Sequence, residues 1–546
     1  MSCRATNETN KIVLDGNSLS FAQVVEFLED PSIQVQLGDA ARQQVDASRK
    51  QLEAWLKSEN RVVYGLNTGL GKLKDCVVSE KDQAEFQKNI LYSHAVGLGA
   101  PFDSQIARLA MLFRANVLSR GHSGVRPELI DRLLLLLNAG IIPQMPQIGS
   151  LGVGDLQPMA HLGLCLAGYP EGRVVYQGQV ETADTALAKA GISPVEFSLA
   201  AREALALMSG STVMLAAAVH CYYVASKRIV AAEAALALSL EAIRGERQAF
   251  DFRIHAARGI AEQVETAKNI CALTAGSSWM SEAGRQRLGE NQPRVQDAVS
   301  FRSSAQVHGA VRDVLQYIET ILERELNAST DNPLLFESDQ GYESMSGGNF
   351  HGALLAYAMD FLAIVFTDLA VLSERRSARL LDPVMSYGLP SNLAGGQVGL
   401  NTGFALVQAD AAALIGEMRI LAAPASIGSV PSKSNQEDHN SMGMGAVRKA
   451  MLVLEHLNKV LAVEMLCAAQ AIELIAGNMQ GLSLGIGTQA IYGCLRQHTQ
   501  GMQNDRYIRE DLYRVIELID QSEFIRIIKL YEAQGCTIAE TAAGIG

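Results

Sequence analysis

The chain has eight cysteines, Cys3, Cys76, Cys165, Cys221, Cys271, Cys467, Cys494 and Cys536, but no Cys-x-x-Cys pair and none closely spaced with histidine. A zinc site or a disulfide framework needs such spacing, so neither is indicated and no metal is expected. The cysteines read as small core hydrophobes in a reducing compartment. A basic excess is also lacking: 46 Lys and Arg against 58 Asp and Glu leave a formal charge of -12 and a pI near 5.4. Nucleic acids and anionic membranes attract basic surfaces, so neither is an expected partner. Met1 to Lys11 is polar and lacks the apolar segment of a secretory signal. The most apolar runs, such as Val213 to Val219, are broken by His220 well before the ~20 residues of a bilayer span. The expectation is a cytoplasmic protein. No internal repeat or low-complexity linker is present. With 546 residues and 48% hydrophobic content the chain can bury a large core, and a small-molecule enzyme is the default.

In chain order, Ile12-Val13-Leu14 runs into Asp15-Gly16-Asn17, a turn of the kind that closes hairpins. Helical patterns follow over Phe21–Glu29 and about 39–59, ending in Lys57-Ser58-Glu59-Asn60. Arg61-Val62-Val63-Tyr64 is strand-like and enters a glycine-punctuated loop, Gly65-Leu66-Asn67-Thr68-Gly69-Leu70-Gly71. From about residue 82 helical periodicity dominates. The stretches 105–119 and 127–138 are amphipathic, the second closed by Gly140 and Pro143, and 173–181 reads as a small surface hairpin. Very long segments follow at about 197–245, 303–328, 350–377 and 440–480, apolar around much of their circumference as bundle-centre helices are. The tail from about 507 is charged and helical, and its Ala-Ala-Gly-Ile-Gly end is expected to fray.

Several motifs carry chemistry. They are Tyr64 to Gly71; Ser93-His94-Ala95-Val96-Gly97; Gly149-Ser150-Leu151-Gly152-Val153-Gly154-Asp155-Leu156-Gln157-Pro158-Met159-Ala160-His161; and Leu207-Met208-Ser209-Gly210. Further on come Gln296-Asp297-Ala298-Val299-Ser300-Phe301-Arg302, Glu325 to Pro333, Ser346 to His351, and Ser434-Asn435-Gln436-Glu437-Asp438-His439. In this order, over roughly residues 10 to 500, they resemble the histidine and aromatic amino-acid ammonia-lyase superfamily. The resemblance implies a mainly α fold: a long central helix bundle of the ammonia-lyase and fumarase-like type with a small α+β N-terminal region. It implies a homotetramer with active sites assembled from several chains. The expected domains are 1–200, with the Tyr64 loop and the 149–161 segment, a bundle over 201–480, and a helical tail over 481–546.

The resemblance breaks at one place. In the family an Ala-Ser-Gly between glycine and aspartate cyclises into the electrophilic methylidene-imidazolone group, MIO. Here only Val153-Gly154 separates Gly152 from Asp155, and the serine is missing. Ser150 is no obvious substitute, because Leu151 follows it where tight backbone approach favours glycine. The expectation is no cofactor. Two further departures fall on the amine side: Ser209 stands for the family's asparagine and Val299 for its tyrosine.

By resemblance, Tyr64 is the base for the Cβ proton, a task for which a phenol of pKa ~10 must be made more acidic by its surroundings. His94 is a ring partner, Arg302 with Asn332 grips the carboxylate, Gln296 is retained beside them, and Phe350 packs on the substrate. Arginine suits that bidentate task better than lysine. Asn-Gln-Glu-Asp-His is the form of histidine-acting members. A carboxylate at Glu437 is useful against imidazole, with its N–H donors and positive charge. Lys433 has no family counterpart and could neutralise a negative group on the ring. A quaternary trimethylammonium leaves as a neutral amine, and its three methyl groups need the space that Ser209 and Val299 open. Aromatic faces such as Phe350 or Tyr92 could stabilise the cation. The expected substrate has an imidazole, a carboxylate and a quaternary ammonium: a histidine betaine, hercynine or ergothioneine, as in the trimethylamine-releasing ergothionase branch. Two alternatives stay open: an MIO-dependent ammonia-lyase or aminomutase, and an inactive paralogue acting as a scaffold.

Overall fold

A computed structural model describes residues 11–58, 62–292, 294–339 and 341–533. The expected helix end at Glu59-Asn60, Arg61 of the strand-like stretch, and the frayed C-terminal end lie outside these residues. The chain is mainly α: among the described residues, strands occur only as short pieces in four small sheets. It divides into two compact units, each drawn from three stretches. The first comprises residues 1–221, 318–360 and 424–448, and the second 222–317, 361–423 and 449–546.

In the first unit, Lys11–Leu14 pairs with Gln34–Leu37 in parallel, so the turn at Asp15-Gly16-Asn17 closes no hairpin. The Asp15 carboxylate accepts from the amides of Asn17 and Ser18 instead. The chain then enters the helix Phe21–Glu29, started by a Ser20/Gln23 capping box, before reaching the partner strand. Helices Asp39–Leu56, Ser104–Ser119 and Pro127–Asn138 fall where their periodicity places them. Arg173–Tyr176 and Gln179–Thr182 form the expected hairpin, with Gln177 and Gly178 both at positive φ. Val62 and Val63 are irregular and Tyr64 opens a turn, so this stretch is not a strand.

The long helices run Thr212–Ala242, Ser304–Leu326, Ala353–Leu381 and Gly443–Ile475. The segment expected to run unbroken over 197–245 is interrupted: a short helix, Glu203–Met208, stops at Ser209-Gly210-Ser211 before Thr212. Gly210 sits at φ +117, and a Cβ there would meet Thr330 Oγ1 at 2.5 Å. Polar groups cover both helix ends at the break. Arg114 donates to the carbonyls of Ala206 and Ser209, and the Asp155 carboxylate accepts from the Met214 amide at 2.9 Å.

By length and composition alone, the stretch Glu203–Ala242, taken across its break, and the helix Ala353–Leu381 are long and apolar enough to cross a membrane, which corrects the expectation that no run is long enough. Their most apolar windows are 94% and 61% buried inside the protein. The second unit buries charge as paired networks. Arg376 Nη2 lies 2.7 Å from Glu464 Oε2, and the hydroxyls of Ser239 and Ser373 donate to the same carboxylate. Cys165 and Cys221 are buried, and burial pushes their thiols up to about 12, so they behave as hydrophobes.

Candidate active site

A cavity of about 820 Å³ lies within the first unit, and it brings together Tyr64, His94, Ser209, Asn332, Phe350, Lys433 and Glu437. These come from six separate stretches of sequence, so the fold alone makes them neighbours.

Tyr64 is half-buried at the head of its glycine loop. Gly65 turns the chain at φ +67, where a Cβ would meet Leu205 Cδ2 at 2.5 Å. Asn67 Oδ1 accepts from the Val63 amide, and Thr68 Oγ1 from the Gly65 amide. The loop thus folds back until the Gly71 amide donates to the Tyr64 hydroxyl oxygen at 3.2 Å. That bond leaves the hydroxyl hydrogen unengaged.

His94 ends the helix Gln83–His94. Its Nδ1 is 2.8 Å from the Ile90 carbonyl oxygen, which can only accept, so Nδ1 carries the hydrogen. Burial holds His94 below the usual histidine range; the bond to Ile90 opposes this shift and nearby Lys433 reinforces it. The ring is therefore neutral near pH 7 and keeps Nε2 as an acceptor.

Asn332 is oriented by its Oδ1, which accepts from the Gly347 amide at 2.8 Å and the Ser346 hydroxyl at 3.2 Å. Its side-chain NH₂ remains as a donor. Ser209, buried at the end of the short helix, puts a hydroxyl where an asparagine would place an amide. Phe350 also lines the wall, its carbonyl accepting from the Gly154 amide.

Glu437 and Lys433 form an ion pair, Nζ to Oε1 2.6 Å, and Ser432 Oγ donates to Glu437 Oε2 at 3.2 Å. The pair is partly solvated, with 37% and 22% of the lysine and glutamate side chains exposed.

The segment Gly149–Asp155 lines the cavity through Val153 and Gly154. Gly152 and Gly154 take φ +86 and +84, and a Cβ on Gly152 would meet Ser441 Oγ at 2.0 Å. Behind it, Asp155 is fully buried and takes hydrogen bonds from Ser150 Oγ and the Met214 amide. Burial pushes its pKa up to about 6 despite those bonds and nearby Arg114. Arg114, also fully buried, is pulled down to about 10. Sequence reasoning missed both residues. Asp155 precedes the helix Leu156–Ala167 as any capping aspartate would, and nothing local ties it to the helix at 212.

A prediction follows for Asp155. Its folded pKa is raised, so its contribution to stability is present below about pH 4 and is lost as pH rises through about 6. The loss amounts to about 3 kcal/mol for a shift of this size. Asp155→Asn has no such term. The wild-type denaturation midpoint should therefore fall relative to the variant's between pH 4 and 7; parallel curves would contradict the assignment.

Gln296, Val299 and Arg302 belong to the second unit and do not line this cavity. Gln296 and Val299 are exposed, and Arg302 is half-buried at the end of the short helix Val299–Arg302. Tyr92 is not at the cavity either. It stacks on Tyr169 at 5.6 Å, its hydroxyl meets Glu171, and Lys88 sits over both rings. Helical periodicity turns it away from His94, two residues on.

Comparison with known proteins places this arrangement. The sequence profile of the aromatic amino acid lyase family matches residues 19–497, so the chain belongs to that family and is a carbon–nitrogen lyase. It is 39% identical to a histidine ammonia-lyase of Alkaliphilus oremlandii over 520 residues, 95% of this chain and 98% of the relative. Among solved structures, a tyrosine aminomutase from Streptomyces globisporus aligns with a TM-score of 0.86 and 36% identity, covering 95% and 99% of the two chains. Ergothionase from Treponema denticola, an ergothioneine degrading enzyme crystallised with desmethyl-ergothioneine sulfonic acid, also aligns with a TM-score of 0.86. It is 28% identical, over 94% of this chain and 99% of that one.

These relatives correct one expectation. The missing serine led to the expectation of no prosthetic group, whereas the histidine ammonia-lyases that match so fully are MIO-dependent enzymes. The stretch Gly152-Val153-Gly154-Asp155 contains no serine to supply the methylidene carbon.

Proposed function

We propose that this chain eliminates an amine from a histidine-derived substrate, and that the amine is trimethylamine released from a histidine betaine. The observation that carries the reading is Glu437, a carboxylate bonded by Lys433 at 2.6 Å, on the wall of the cavity that Tyr64 lines. A carboxylate there suits an imidazole and gains nothing from a phenyl ring. His94, neutral with Nε2 as acceptor, suits a ring N–H.

In this mechanism Tyr64 Oη takes the Cβ proton. The electron pair of that C–H bond becomes the Cα–Cβ double bond, and the Cα–N bond breaks. Trimethylamine departs neutral, with no proton to be placed on nitrogen, and the ring product is a urocanate. Glu437 governs the protonation of the ring and so the acidity of the Cβ hydrogen. Lys433 offers a positive charge to a ring substituent, which favours the 2-thio ring of ergothioneine over hercynine. The small Ser209 side chain leaves room for the methyl groups, and the Phe350 face suits their positive charge.

The substrate carboxylate falls to the Asn332 amide and to Arg302 of a second copy of the chain, with Gln296 beside it and Val299 opening space on the amine side. Support for a homotetramer comes from the helix Ala353–Leu381. Leu354, Tyr357, Phe361 and Ile364 are exposed along it at the three-and-four spacing of a helix-pairing seam. Co-expressing Tyr64→Phe and Arg302→Ala chains should therefore restore activity to about a quarter of the wild-type level, the fraction of randomly mixed sites that hold both intact residues. No recovery would mean that one chain supplies both.

Binding tests the substrate assignment. The Tyr64→Phe variant keeps the cavity but lacks the base, so calorimetric titration reads affinity without turnover. Ergothioneine and hercynine should bind more tightly than histidine, and histidine binding as tightly as either betaine would contradict the trimethylammonium assignment. A second reading, deamination of histidine to urocanate, is favoured by the histidine ammonia-lyases that match at about 40% identity.

A further inference from the structure

The loop that carries Lys433 and Glu437 is strained and weakly tied. Lys433, Ser434 and Asn435 take φ +48, +56 and +62, three successive non-glycine residues in the left-handed region that L side chains disfavour. The bonds that close the loop are its own. The Ser432 amide donates to the Glu437 carbonyl at 2.8 Å, Gln436 donates to Lys433, and the Asn440 side chain donates to the carbonyls of Val430 and Glu437. Among the described residues, one hydrogen bond leaves Ser432–His439 for chain outside 429–441. It joins His439 Nδ1 to His351 Nε2 at 3.2 Å.

The two rings are inclined by 16° with centroids 5.3 Å apart. The nitrogen separation accounts for most of that distance, so the rings lie nearly edge to edge in one plane, as an N–H···N bond requires. One of these two nitrogens carries the shared hydrogen and the other accepts it. His351 stands on firm backbone. The Phe350 carbonyl accepts from Gly154, the Gly352 amide donates to Gly152, and His351 bridges to Val153.

We propose that His439 and His351 are a positioning pair, whose single bond holds the strained loop in the register that presents Glu437 and Lys433 to the cavity beside Phe350. The proposal rests on the reading of Glu437 as the ring's partner. Neither histidine lines the cavity itself. Both act through the residues next to them.

The test uses His439→Leu, which removes the bond, and His439→Asn, whose side-chain amide can donate or accept in place of Nδ1. Hydrogen exchange of the 430–439 amides in the whole protein should run roughly five- to tenfold faster in the leucine variant and within about twofold of wild type in the asparagine variant. This readout needs no substrate, so it can fail or succeed whatever becomes of the betaine reading. With whichever of ergothioneine, hercynine and histidine the wild-type protein turns over, His439→Leu should raise KM about tenfold and leave kcat nearly unchanged. A loop that is competent only part of the time reduces apparent affinity by that fraction, whereas partial loss of folded protein would lower kcat alone. Combining His439→Leu with His351→Leu should add nothing further, because one bond is lost in each. The proposal is overturned if loop exchange in His439→Leu matches wild type, if His439→Asn behaves like His439→Leu, or if the two leucine effects add.

Discussion

Tyr64→Phe is expected to lower kcat by a factor of about 10² to 10⁴, the range that a positioned acid–base group contributes. Substrate affinity should change little. The substitution removes one oxygen and leaves the ring, which is half-buried at the head of the loop, packed as before. What is lost is the acceptor for the Cβ proton, together with the bond from the Gly71 amide at 3.2 Å. That amide is part of a short loop tip near solvent, so its loss is no threat to folding. Wild-type turnover in Tyr64→Phe would remove the base from the mechanism. Absence of turnover in both proteins, with every candidate substrate, would favour the scaffold alternative. Steady-state kinetics with a folding control by circular dichroism reads both.

Glu437→Gln is expected to lower kcat/KM for imidazole substrates by about 10²-fold, comparable to removing one preorganised electrostatic contact from an active site. Glutamine keeps the shape and can still accept from Ser432 Oγ, but it cannot hold a proton for the ring or neutralise Lys433. The loss should be shared between KM and kcat, because the carboxylate both holds the ring in the bound complex and sets its protonation as the Cβ–H bond breaks. Lys433→Met separates the two halves of the pair. Turnover of ergothioneine should fall while that of hercynine is spared, because only the former has a sulfur for the lysine to meet. Equal losses for both would assign Lys433 to the orientation of Glu437 alone.

Most of the cavity was legible in the sequence. Tyr64, His94, Ser209, Asn332, Phe350 and Glu437 sit in short motifs whose order matches the lyase family, Lys433 stands just before the last of them, and the fold gathers all seven at one cavity. Helix positions were legible wherever a periodic apolar face met a clear stop, as at Pro127–Asn138. What escaped depends on contacts between residues distant in sequence. The break at Ser209-Gly210-Ser211 is stabilised by Arg114 and Asp155, each more than fifty residues away. The parallel pairing of Lys11–Leu14 overrode a turn that locally favours a hairpin. Three left-handed residues at Lys433–Asn435 include no glycine, so no composition signal marks them. Gln296, Val299 and Arg302 were assigned to the site from their motif, but a motif does not say which copy of the chain supplies it. The inference of no prosthetic group was local in the same way. It read one missing serine, while the closely matching histidine ammonia-lyases are MIO-dependent enzymes.

The most direct measurement is proton NMR of the purified protein incubated separately with ergothioneine, hercynine and histidine. The account predicts a vinyl proton pair and the methyl singlet of free trimethylamine from a betaine, with ergothioneine ahead of hercynine and histidine unchanged. Urocanate and ammonia from histidine, with both betaines intact, would contradict it.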